Sequence, residues 1–166
     1  MNDAILDKDS LKESLNTIHS LLKDRLIREL LKRSNMTELQ LEVLLIHFTL
    51  ENLYPGKFSY EEKGLLCRKK LSRGAFYRSL NQAVENVIEA TYTIVLLGYL
   101  GLFETPGLQP LLDLSDALKH YRQELASDAN LEALDKSDIE ILLKKLVATI
   151  NNISSKLLVR QQRGKN

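Results

Sequence analysis

An all-α fold is what this sequence predicts, and three observations predict it. Apolar residues recur at spacings of three and four along most of the chain. Ser or Thr stands three residues before Glu or Gln ahead of several apolar runs, the spacing of a capping box. The 166 residues include only seven Gly and three Pro, few for a protein rich in turns. That length suits a single domain, 1–166, able to bury one core without metals or disulfides. The 44% apolar and 27% charged residues are near the globular average.

The first helix is predicted over residues 10–33. Ser10 and Glu13 have capping-box spacing, and Leu11, Leu15, Ile18, Leu22, Leu26 and Leu30 form one stripe. Lys32 and Arg33 suit the negative end of the macrodipole. A second helix starts after Thr37, which pairs with Gln40 as a capping box. Leu41, Leu44, Leu45 and Phe48 are its expected buried face, and Pro55-Gly56 ends it. Ser59 and Glu62 open a short third helix. Ser72 caps a fourth, with Phe76, Leu80, Val84 and Val87 as its apolar back. Ile88, Tyr92, Val95 and Tyr99 keep the period, so this helix can run to Phe103, although its β-branched cluster lowers helix propensity. The apolar run 94–103 reads as core or dimer interface, and its ten residues reach only about 15 Å as a helix, too short for a bilayer.

"ETPGLQP" breaks the pattern. A helix follows from Leu111 or Ser115 to Leu125, and a last one starts at Ser137 or Asp138. In that last helix Ile139, Leu143, Leu146, Ile150, Ile153 and Leu157 are spaced 4-3-4-3-4, with Leu142, Val147 and Leu158 beside them. Segments 10–33 and 111–158 are therefore packing or dimerisation helices. A variant reading turns 102–114 into a short β-hairpin wing.

Charge is uneven. The net charge is +1, yet residues 57–78 hold seven basic residues (Lys57, Lys63, Arg68, Lys69, Lys70, Arg73, Arg78) and two acidic ones (Glu61, Glu62), an excess of five. A smaller basic group, Lys156, Arg160, Arg163 and Lys165, lies near the end, and Asp3, Asp7 and Asp9 near the start. The single cysteine, Cys67, excludes an intramolecular disulfide. Beside Arg68 and Lys69 it is either a redox-sensitive thiol or a small buried hydrophobe. His19, His47 and His120 fall in separate helices, without the paired spacing of a metal site. No Ser/His/Asp set and no glycine-rich phosphate loop occurs. The expectation is a non-enzymatic protein with no cofactor and no metal, and, from the acidic start without a signal-like apolar stretch, a cytoplasmic one.

Residues 36–90 carry the most informative pattern. "MTELQLEVL", "FSYEEKGLL" and "LSRGAFYRSLNQA" in succession resemble the helix-turn-helix unit of the fourth conserved region of bacterial sigma factors and of regulators built like it. The likeness runs over residues 36–87. It implies a supporting helix containing Gly64, the small residue where the next helix crosses, and a recognition helix beginning after Ser72. Two features depart from the family pattern: Lys63 stands where an apolar residue is usual, and Arg68, Lys69 and Lys70 lengthen the turn. No other sigma region is recognisable, so the family's polymerase contacts do not carry over.

The chemistry of such a unit assigns roles. Arg68, Lys69 and Lys70 in the turn would contact phosphates, with Ser72 leaving backbone N–H groups near one. Arg73, Tyr77, Arg78, Asn81 and Gln82 would face bases, Arg suiting guanine and Asn or Gln suiting adenine. The expected partners are double-stranded DNA, a second copy of the chain and the transcription machinery, and the expected function is sequence-specific regulation of transcription. The competing expectation is a helical protein-protein adaptor that meets an acidic partner through residues 68–78 and makes no contact with DNA.

Overall fold

The computed structural model describes residues 8–101 and, beyond them, helical positions at 109, 112–113, 115–116, 119–120, 140–141, 144–145, 147–148 and 150. The chain forms two compact units, Met1–Thr91 and Tyr92–Asn166. The described residues are helical with no strand among them, so the all-α class holds.

The first unit begins with α1 (Lys8–Leu21) and α2 (Arg25–Arg33). The sequence suggested one helix here; the structure has two. Asp24 takes the N-cap of α2, its Oδ1 accepting from the Ile27 N–H at 2.9 Å. The backbone turns before it through Lys23 N–H to Ser20 O and Asp24 N–H to Leu21 O, both at 3.0 Å. A good cap inside an in-phase leucine stripe breaks the helix without glycine or proline. Ser10 lies inside α1, so it does not cap it.

The helix α3 (Glu38–Leu53) starts on the expected capping box: Thr37 Oγ1 accepts from the Gln40 N–H, and Gln40 Oε1 from the Thr37 N–H. Its buried face differs from the expected one. Glu42, Val43, Ile46 and Leu50 are buried, Leu41, Leu44 and Leu45 are half-buried, and Phe48 is 65% exposed. Apolar residues surround α3, and spacing alone could not select the inner side. The helix ends at Tyr54 before Pro55-Gly56, where Gly56 has φ +67°. That left-handed conformation suits glycine.

Ser59 and Glu62 form the capping box of α4 (Tyr60–Leu65). The helix α5 (Arg73–Tyr99) follows, with Ser72 Oγ accepting from the Ala75 N–H at 3.3 Å. It is continuous for 27 residues and ends short of Phe103. Phe76, Leu80 and Ala83 form its buried line. Val84 and Val87, expected there, are 40% and 47% exposed. Asn86 fixes the same helix to the segment before α3 by donating to Asn35 O at 2.8 Å. The core of this unit joins Ile18 of α1 and Leu22 of the turn after it, Val43, Ile46 and Leu50 of α3, Cys67, and Phe76 and Leu80 of α5.

In the second unit the distal turns of α5 expose Tyr92, Val95 and Tyr99. Of the wing considered for 102–114, residues 102–108 lie outside the described residues, while Gln109, Leu112 and Asp113 are helical, and Gln109 Nε2 donates to Asp113 Oδ1. Of the final stripe only Ile150 is described; it is helical and exposed, and Ile139, Leu143, Leu146, Ile153 and Leu157 lie outside the described residues.

Among the described glycines Gly64 has the closest neighbour. The Leu71 N–H donates to Gly64 O at 2.9 Å, and a Cβ on Gly64 would sit 2.5 Å from Leu71 O. That neighbour is backbone and cannot rotate away. Gly64→Ala is therefore expected to lower unfolding stability by about 1–3 kcal/mol, the cost of overpacking. Urea denaturation of both proteins measures it.

Candidate nucleic-acid interface

The turn between α4 and α5 is held from below by one carboxylate. Glu42 of α3 is 2% exposed. Its Oε1 accepts from the Arg68 backbone N–H at 2.7 Å and from Arg68 Nε at 3.3 Å, and its Oε2 from Nη2 at 3.4 Å. Glu38, one helical turn earlier, accepts from Nη2 at 2.8 Å. These bonds raise the Arg68 pKa, and Arg68 in turn lowers that of Glu38. His19 of α1 faces the same carboxylate, its Nε2 lying 3.8 Å from Glu42 Oε1. Arg68 is thus a clamp between the turn and α3, and its hydrogen bonds are directed inward, away from any phosphate.

Lys63 is consumed in a similar way. It is 1% exposed. Its Nζ bonds Glu51 Oε1 and His47 Nδ1 of α3 and stands 5.5 Å from the Tyr60 ring centre. The Glu51 carboxyl is held below its usual range by Lys63 first and then by the Gly56 N–H. An open depression of about 330 Å³ beside Tyr60 and Phe58 runs from Lys63 to Arg73. Sequence reading registered Lys63 only as a departure from an apolar position. The signal available was Glu51, a carboxylate in the last turn of α3, where acidic residues are disfavoured by the macrodipole.

The remaining predicted residues stay on the surface. Lys69, Lys70, Ser72, Arg73, Tyr77, Arg78, Asn81 and Gln82 are all exposed. Tyr77 and Asn81, with Arg78 and Gln82 beside them, lie on the side of α5 away from Phe76, Leu80 and Ala83, and Arg73 is exposed in the first turn at the border of that side, beside the depression of Tyr60 and Lys63. No acidic residue occurs between Lys63 and Val84. Lys69, Lys70, Arg73 and Arg78 form no ion pair among the described residues. Tyr77 is 47% exposed, and its ring centre lies 5.4 Å from that of Tyr60, which props it at the edge of this surface. Gly74 carries no side chain there, and Arg78 Nη1 would lie 3.6 Å from a Cβ placed on it. The arrangement can bind polyanions through four unpaired cations and offer amide groups to a hydrogen-bonding edge.

Among the described residues no group of three His, Cys, Asp or Glu could hold a metal ion, and no helix is long and apolar enough to cross a membrane. No family model matches the chain, and no curated protein or solved structure is significantly similar to it.

Cys67 is buried in the core, and burial first, then Glu42, pushes its thiol up to about 12. Its Sγ lies 3.7 Å from Lys63 O. With a folded pKa above the unfolded one, the thiol stabilises the fold fully below about pH 8.5 and loses that contribution as pH rises toward about 12. A thiol reagent at mildly alkaline pH should leave the native protein unlabelled and label it fully in denaturant; rapid native labelling would mark Cys67 as a reactive thiol.

Proposed function

We propose that α3, α4 and α5 form a helix-turn-helix and that the protein is a sequence-specific, double-stranded DNA-binding regulator of transcription. One observation carries this reading. The first three turns of α5 bury Phe76, Leu80 and Ala83 on one side and expose Tyr77, Arg78, Asn81 and Gln82 on the other, with Arg73 exposed at the first turn and Lys69 and Lys70 at the entrance. A recognition helix needs that division: an apolar back fixed to a scaffold and a polar front with free donors.

In this reading Lys69 and Lys70 meet phosphates, which position the protein without reading sequence. The Ser72 cap brings α5's first N–H groups beside the same backbone. Arg73 and Arg78 present forked donors to guanine, Asn81 and Gln82 pair with adenine, and Tyr77 packs on the groove wall. Arg68 has a structural part: it sets the turn that aims α5. The transcription machinery is a further partner in this role.

Replacing Lys69 and Lys70 by Ala should weaken binding to every duplex and lower the log-log salt slope by about one per lost contact. Arg78→Ala should cost about 1–3 kcal/mol at one base pair and leave other positions unchanged. Arg68→Ala should lower stability and leave the salt slope near that of the parent. Gel-shift at two salt concentrations measures all three. Salt-insensitive binding of an acidic protein, with no duplex bound, would favour the adaptor reading.

A single recognition helix covers few base pairs, and two copies on a two-fold axis double the reading. The exposed Val87, Tyr92, Val95 and Tyr99 on α5, together with the heptad spacing of the sequence at 139–157, support homodimer formation. Sedimentation at concentrations on the order of tens of micromolar should give a dimer. A species of 19.0 kDa there removes the dimer from the reading.

A further inference from the structure

A buried lysine ammonium has three donors and no acceptor, so every polar neighbour of Lys63 must accept. Glu51 Oε1 accepts as a carboxylate. His47 Nδ1, 3.2 Å from Nζ, accepts only with its lone pair free. His47 is therefore neutral in this arrangement, with its proton on Nε2. Lys63 and Glu51 balance one another, and among the described residues no second carboxylate bonds Lys63; Glu61 lines the adjoining depression without pairing to it. The groups that face His47 are Lys63 and Tyr60 from α4 and Glu51 from its own helix. Its ring centre is 6.1 Å from that of Tyr60, behind which Tyr77 of α5 lies at 5.4 Å.

Lys63 is also the residue through which an ion pair joins α4 itself to α3, among the described residues. The turn after α4 leads directly into α5. A proton on His47 Nδ1 removes the acceptor and sets two cations in contact, one of them almost fully buried. Glu51 can neutralise only one of them.

We propose that His47 is a proton sensor whose protonation releases Lys63, loosens α4 and the turn leading into α5, and lowers affinity for duplex DNA. The effect on DNA rests on the DNA-binding reading above; the loosening of α4 does not. The direction agrees with the environment: burial first, then Lys63, holds His47 below its ordinary value, with Glu51 opposing. The unfolded chain takes up this proton near pH 6.5 and the folded chain only at lower pH. Stability is thus full above about pH 6.5, falls as pH drops below it, and levels off under the folded pKa.

The test uses the full chain, its His47→Gln variant and its Lys63→Met variant, at fixed ionic strength from about pH 8 to about pH 5.5. Gln keeps an acceptor that does not titrate, and Met removes the buried cation. Two readouts are taken: affinity for a random-sequence duplex, and hydrogen-exchange protection of the Lys63, Leu66 and Cys67 amides, corrected for intrinsic rates. Their acceptors are Ser59 O, Lys63 O and Gly64 O. The parent should lose protection and affinity on acidification, by at most about tenfold per pH unit for one proton. His47→Gln should be flat, and Lys63→Met, which keeps the buried ring and Glu51 but removes the buried cation, should show a smaller slope than the parent and serves where His47→Gln fails to fold. Loss of protection in the parent alone, with no duplex bound at any pH, upholds the sensor and removes the DNA reading. Protection that is flat with pH in the parent overturns the sensor, as does an equal slope in all three proteins.

Discussion

A buried carboxylate on α3 decides where α5 begins. Glu42 holds both the backbone and the guanidinium of Arg68, so the turn after α4 cannot shift without leaving a carboxyl group that is 2% exposed short of these partners. Removing one partner of a buried pair costs about 3–5 kcal/mol, because the other charge stays behind unpaired. Arg68 is partly open to solvent, so the strain of any rearrangement falls on Glu42. Gly64 and Leu71 complete the constraint: their backbones meet at a distance that admits no side chain. The first turns of α5 inherit their direction from these contacts.

The two ion-pair sites also sort the basic residues by role. Seven basic residues lie between Lys57 and Arg78, but Lys63 and Arg68 point into α3 and are matched by Glu51, Glu42 and Glu38. Their charge is cancelled locally and contributes little to the outer field. Lys69, Lys70, Arg73 and Arg78 remain on the surface, in a stretch without acidic residues. A nearly neutral protein thereby concentrates uncompensated charge at one end of one helix, which is how a small field can be focused on a polyanion.

What was legible in the sequence was local. Thr37 with Gln40, Ser59 with Glu62, and Ser72 each announced a helix start within four residues, and Pro55-Gly56 announced a stop; the structure has each of them. Misreadings came where a longer-range fact decided. The leucine stripe keeps its phase across Asp24, so periodicity carried the first helix through a break. The face of α3 could not be chosen from its own residues, since it is apolar all round, and the core lies against Val43 and Ile46, with Phe48 outside. The four-residue spacing from Phe76 and Leu80 points to Val84, whereas the residue that is buried is its neighbour Ala83, three after Leu80. Arg68 and Lys63 looked like surface charge because their partners are 26 and 12 residues away.

The central claim is that a rigidly seated α5 offers its first three turns to duplex DNA. Backbone amide chemical shifts, followed as duplex is added at low salt and again at high salt, test it most directly. The account predicts that shifts concentrate at residues 69–82, reverse as salt is raised, and leave α1 and α2 nearly unchanged. Shifts confined to α1 and α2, or a silent 69–82 segment in the presence of bound DNA, would contradict it.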